Sequence, residues 1–227
     1  MNNNNQLKLS KSIFLIPSAY LIVIWLIYWI EIQFGLNFNK YGVYPRTIEG
    51  FRGVFLTHFI HSDASHILNN SIPLFVLLSS LFYFYREVAY KVLILGGFLT
   101  GFLTWGIARE SYHIGASGIV YLLFSFVFFS GIIKKHYRLV ALSLIIIFLY
   151  GSMIWYVLPI KDGMSWEGHL SGFVMGVFFA FNKRNKGIVK KKHTFSKTEF
   201  DLLFDENGNF SPPKIDQNQE NENRVEG

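Results

Sequence analysis

The sequence predicts an all-α membrane protein, a bundle of six transmembrane helices with an interfacial first outer loop. Three observations predict it. Apolar runs of spanning length recur along a chain of 227 residues that is 51% hydrophobic and 18% aromatic. The basic residues behind its net charge of +6 gather at the ends of those runs. Clusters that bring histidine, asparagine or glycine-flanked serine together sit at the starts of alternate runs.

Charge-free runs cover residues 13–30, 67–85, 92–108, 114–133 and 139–160, each long enough as a helix to cross a hydrocarbon layer of about 30 Å. A sixth run, residues 166–182, is shorter and holds Glu167 and His169, so length alone leaves it between a span and a buried or interfacial helix. Orientation decides in favour of a span. With a cytoplasmic N-terminus, six crossings place Lys8, Lys11, Arg86, Lys91, Lys134, Lys135, Arg138, Lys183, Arg184, Lys186, Lys190, Lys191 and Lys192 inside. Outside remain Lys40, Arg46, Arg52, Arg109 and Lys161, an imbalance of thirteen to five that puts both termini in the cytoplasm. The first run is of spanning length and no small-residue cleavage site follows it, so it is expected to stay attached.

Residues 1–12 thus form a cytoplasmic N-terminus, 13–182 the six-helix core, and 183–227 a cytoplasmic tail. That tail is basic, then acidic and Asn/Gln-rich, with Pro212 and Pro213, and is expected to be largely disordered. Residues 31–65 instead carry Phe34, Phe38, Tyr41, Tyr44, Phe51, Phe55 and Phe59 among glycines and charges, which suits a structured element in the outer interface.

Composition narrows the chemistry. The absence of cysteine excludes disulfides, thiolate metal sites and thiol nucleophiles. Positive charge split into short clusters beside apolar runs is an orientation pattern, not a nucleic-acid footprint. His61 and His66 are five apart and lack an acidic or thiolate third ligand, so no metal is expected, and no phosphate-cradling glycine loop calls for a cofactor. The near absence of mid-span ionisable residues speaks against a transporter or channel.

Three polar clusters remain: His61, His66 and Asn70 around the start of the second run, Gly115-Ala116-Ser117-Gly118 opening the fourth, and Gly168-His169-Leu170-Ser171-Gly172 opening the sixth. In a six-span topology these runs all descend from the outside, so the clusters meet at one depth. Ser117 needs a base to accept its proton, and the His169 imidazole suits that task near neutral pH. Gly115 and Gly118 allow a tight turn and close approach of a carbonyl to the Ser117 amide. His66 and Asn70, four apart on one helix face, can aim donors at a developing oxyanion.

Each piece has a plainer reading: Gly-x-Ser-Gly occurs in helix packing, and a lone buried histidine is often just a satisfied interhelical residue. His113, four before Ser117, is an alternative base if the helix begins early. Ser171 lies about 200° from His169 around the same helix and cannot face it. Tyr121, one turn after Ser117, either lines the imidazole or simply packs. His58, His136 and His193 read as interface or tail residues. Gly172 and Gly176 form a small-residue face that lets helices approach closely.

Taken together, residues 41–182, with His-x4-His-x3-Asn, Gly-x-Ser-Gly and Gly-His-x2-Gly-x3-Gly in successive descending helices, resemble the rhomboid intramembrane serine proteases. The resemblance implies a Ser–His dyad without an acidic third member, no cofactor, and hydrolysis of membrane-anchored proteins in or beside their transmembrane segments. It assigns Ser117 as nucleophile, His169 as base, His66 and Asn70 as oxyanion donors, His61 as a supporting residue and Tyr121 as packing on the imidazole. Arg46 matches a loop arginine of the family, preceded here by Pro45 where the family often has tryptophan. The partners implied are transmembrane protein substrates and the lipid bilayer, with a bacterial cell membrane as location. The competing reading is a catalytically inactive relative that binds membrane clients.

Overall fold

The computed structural model describes residues 9–160, 163–188 and 198–211. Lys8, Lys161, Lys190, Lys191, Lys192, His193, Pro212 and Pro213, all used above, lie outside the described residues.

Each expected run is a helix. In order they are α1 (Ser12–Gln33), then two short helices of the first loop, α2 (Ile48–Phe51) and α3 (Gly53–Leu56), then α4 (Ala64–Phe84), α5 (Gly96–Ile107), α6 (Ser117–Lys134), α7 (Tyr137–Tyr150) and α8 (Trp166–Asn182). A π-helical turn, Lys91–Leu95, leads into α5, and α7 tightens into a 3-10 stretch, Gly151–Val157. By length and apolarity α1, α4, α6 and the continuous stretch Tyr137–Val157 can cross a membrane. The stretch Lys91–Ile107 is a shorter apolar helix, and α8, with 17 residues, is also shorter.

Helix ends follow local chemistry. Asp63 caps α4 by accepting the His66 N–H at 2.8 Å, and the Thr47 hydroxyl caps α2 by accepting the Gly50 N–H at 3.1 Å.

The bundle is organised around α6, which packs most extensively on α8 and also meets α7, α4 and α5. Its side chains from Gly118 to Val127 are all buried. Close approach to α8 depends on glycine. A Cβ on Gly172 would collide with the Gly118 carbonyl, and one on Gly176 with the Ser125 hydroxyl and the Leu122 carbonyl. The Ser125 hydroxyl donates within its own helix to Tyr121 O at 2.9 Å, and the Phe173 carbonyl of α8 lies equally near, at 2.9 Å.

The first loop is structured, as its aromatic content predicts. Val43 and His113 exchange backbone hydrogen bonds of 3.0 and 2.8 Å, tying the loop to the α5–α6 connection. Arg46 adopts φ 56°; its N–H donates to Trp105 O at 3.0 Å and its Nη1 to Ala108 O at 2.8 Å. Ile48, Phe51 and Phe55 remain exposed on its outer side. His58, expected at the interface, is instead buried, with Nε2 donating to the Gly97 carbonyl at 3.0 Å. The bond to the α5 backbone takes up the ring, and a Cβ at Gly97 would lie 3.9 Å from its Nε2, in ordinary contact.

Residues 198–211 belong to a unit separate from the helices above and carry a 3-10 turn at Asp201–Leu203 and a Phe204–Phe210 bridge closed by a turn in which Asp205 accepts the Asn207 and Asn209 N–H groups.

Candidate active site

Gly115 sets where α6 begins. It sits at φ +112°, a conformation L side chains rarely adopt, and its N–H donates to Thr57 O at 2.9 Å. A Cβ there would also lie 2.6 Å from His66 Nε2, so the His66 ring occupies the space that glycine leaves. The same Cβ position is 3.7 Å from Ser117 Oγ, so the hydroxyl and the His66 ring both border this turn. Ser117 is the first residue of α6 and is half-buried, while Gly118 behind it is buried.

His61 supports the turn from below. Its buried ring accepts the Ala116 N–H at Nε2, 3.3 Å away, and its centroid lies 5.1 Å from that of His66. Burial, followed by the neighbouring His66, lowers its pKa to about 4, so it stays neutral and able to accept. Asn70, one turn after His66, is buried, and its Nδ2 donates to the His66 carbonyl at 3.1 Å. His66 Nδ1 pairs with the Ser62 hydroxyl at 3.2 Å, which leaves Nε2 towards Gly115.

His169 comes from the first turn of α8 and is buried. Its ring stacks on Tyr121 of α6, with centroids 4.3 Å apart and planes within 10°. Tyr121, itself buried, thus packs directly on the imidazole. His169 Nδ1 lies 2.8 Å from the Tyr156 carbonyl. A carbonyl only accepts, so Nδ1 carries the proton and Nε2 is the bare nitrogen. Tyr121 is pinned in turn, its hydroxyl donating to Met153 O at 2.8 Å. Two backbone carbonyls of one 3-10 stretch therefore orient the stacked pair.

His113, the alternative base, has both ring nitrogens engaged: Nε2 donates to Arg109 O at 3.0 Å and Nδ1 lies 2.6 Å from the Ser165 hydroxyl. The clusters from the second, fourth and sixth runs do meet: Gly118 faces the Gly168 carbonyl, Gly172 faces Gly118, and His66 abuts Gly115. What sequence reasoning missed are the Tyr156 and Met153 carbonyls, which have no side-chain signature, and a buried carboxylate at Glu167 bound by Arg109. The signal available for Glu167 is its position as a charge within an otherwise apolar run.

A family model described as the Rhomboid domain matches residues 49–186. Uncharacterized proteins of Mycobacterium tuberculosis (strain ATCC 25618 / H37Rv) and Mycobacterium bovis are each 29% identical over 174 residues, 72% of this chain and 72% of theirs. One from Mycobacterium leprae is 30% identical over 142 residues, 57% of this chain and 55% of its own. With the family model covering more than half of the chain and, among the described residues, four helices apolar and long enough to span a bilayer, the chain is an integral membrane protein of the rhomboid family.

Proposed function

We propose that the protein is an intramembrane serine endopeptidase that cuts membrane proteins in or beside their transmembrane segments. The observation that carries the reading is the His169 imidazole: buried, stacked on Tyr121, and held by the Tyr156 carbonyl in the tautomer whose free nitrogen can take a proton. Ser117 Oγ attacks the scissile carbonyl as Nε2 of His169 removes its proton. The resulting oxyanion receives the Ser117 N–H and the second Asn70 amide hydrogen, and His66 donates to it through Nε2 when its ring is protonated at both nitrogens. Collapse of the tetrahedral adduct transfers the proton from His169 to the leaving amine, and a water activated by the same nitrogen then hydrolyses the acyl-enzyme. No metal or cofactor takes part.

In this reading α5, with its preceding π turn, and α8 also cross the membrane. Six crossings then put both termini in the cytoplasm of a bacterial cell and open the site outward. The thirteen-to-five distribution of basic residues supports that topology. A peptide must be extended to be attacked, whereas a segment in lipid is held helical by the cost of unpaired backbone groups. The preferred substrates are therefore single-pass proteins with glycine, proline or polar residues near the outer end of the span, and, by family resemblance, a small residue before the scissile bond.

Purified protein in bilayer discs, treated with a serine-directed fluorophosphonate and digested for adduct mapping, is expected to carry the label on Ser117. Labelling elsewhere, or none in a folded sample, rejects the protease and leaves the client-binding relative.

A further inference from the structure

Glu167 is 2% exposed, a carboxylate placed in the first turn of α8 and two residues before His169. Such a charge needs partners, and it has them all from one place. Arg109 Nη1 donates to both its oxygens at 3.1 and 3.2 Å, the Arg109 backbone N–H reaches Oε1 at 3.3 Å, and Nη2 closes on the Met164 carbonyl at 2.7 Å. A second tether lies beside the first. The Ser165 hydroxyl, at the N-cap position of α8, makes no capping bond of its own and instead meets His113 Nδ1 at 2.6 Å. His113 Nε2 donates to Arg109 O, so that the Ser165 hydroxyl is the donor in this pair.

The α5–α6 connection thus grips the start of α8 at Met164, Ser165 and Glu167. The same connection is anchored to the first loop through Val43 and Arg46 and runs directly into the Gly115 turn. Glu167 is about 200° around the helix from His169, so it holds the helix from the side away from the imidazole. We propose that Arg109, Glu167, His113 and Ser165 are positioning residues. They fix the rotation and height of the first turn of α8 against the start of α6, and so the reach of His169 to Ser117. This rests on the protease reading above.

The test measures kcat and KM on a membrane substrate with a weak outer helix, the rate of fluorophosphonate labelling at Ser117, and thermal unfolding, all in the same bilayer discs. Glu167→Gln keeps the shape of the side chain but not its charge. It is expected to lower kcat and the labelling rate by about 10- to 100-fold, the scale of a sub-ångström to ångström misplacement, with KM within about twofold of the parent. Arg109→Gln should match it, the double variant should be no worse than either, and Arg109→Lys should recover part of the loss. A merely structural role would lower the unfolding temperature while leaving kcat per folded molecule unchanged, and that result overturns the proposal, as does additive loss in the double variant. Should Glu167→Gln not fold, the half-exposed Arg109 variants decide alone. If the parent labels at Ser117 and Glu167→Gln labels as fast, positioning fails and the protease stands. If the parent does not label, both fall.

Discussion

Helices α6 and α7 are neighbours of similar apolarity, yet they face different surroundings. Of the most apolar eighteen residues in each, 72% are buried in α6 and 17% in the stretch continuing α7. Phe148 of α7 is 87% exposed, whereas α6 hides Gly118, Ser125 and Ser130 together with Tyr121, Phe124 and Phe126. Apolarity in α7 is a match to lipid, which gains nothing from one leucine over another. In α6 the apolar residues are spaced by glycine and serine so that other helices can approach. The hydrophobic pattern that reveals both helices therefore says nothing about which one the molecule is built around. The polar and small residues say it.

The largest break in that contrast should come at the head of α6. Ser117→Ala and His169→Ala are each expected to reduce cleavage by at least about 10⁴-fold, with the double variant no worse, since members of a dyad act as a unit. A double variant far below both singles would dissolve the pair. Next, Asn70→Ala should lower kcat by roughly 10²-fold, the usual cost of an oxyanion donor, while Ser117 still labels. Unchanged kcat would return Asn70 to packing through its bond to the His66 carbonyl.

Substitution inside the close seam sharpens the comparison directly. Gly172→Ala puts a methyl group against the Gly118 carbonyl and should cost about 1–3 kcal/mol in unfolding experiments. Phe148→Ala on the lipid face of α7 should stay within about 0.5 kcal/mol. Equal losses at the two sites would mean that α6 is no more constrained than its neighbour.

The smallest expected effect concerns acid. His61 has its pKa lowered from the ordinary value of 6.5 to about 4, first by burial and then by His66. The unfolded chain therefore binds more protons between those values, and its contribution to stability, complete above about 6.5, fades as pH falls through about 4. His61→Asn keeps an acceptor for the Ala116 N–H without titrating. Unfolding temperatures of that variant should depend less on pH across this window, with His58, also held near 4 by burial, supplying much of the remaining slope. An unaltered slope would show that His61 is not the titrating group.

Much of this molecule was legible in the sequence for a physical reason. Lipid forces long apolar runs, and a polar residue inside one stands out against them. Ser117, His169, His66 and Asn70 were visible that way, as was the late start of α6 at its glycine. The 3-10 ending of α7 was not visible, because an apolar run reads alike in either helix type. Neither were the carbonyls of Met153 and Tyr156, since every residue has one. Arg109 was counted only towards membrane orientation, although its partner Glu167 is buried. Charge counting records the sign of a residue and not what it holds. His58 misleads for a related reason: a histidine in an aromatic loop looks interfacial until the carbonyl it binds, 39 residues later, is brought alongside.

The seam between α6 and α8 has a consequence for how the chain is made. Gly118 and Ser125 are laid down about fifty residues before Gly172, Phe173 and Gly176, which cover them. Until α8 has been made, the side of α6 that it covers has no partner from that helix. A chain interrupted before Trp166 would keep that side uncovered permanently, an open docking face for any other helix in the same membrane. Nascent copies are thus most prone to mispairing in the interval between the two helices, and the final helix completes assembly as well as carrying His169.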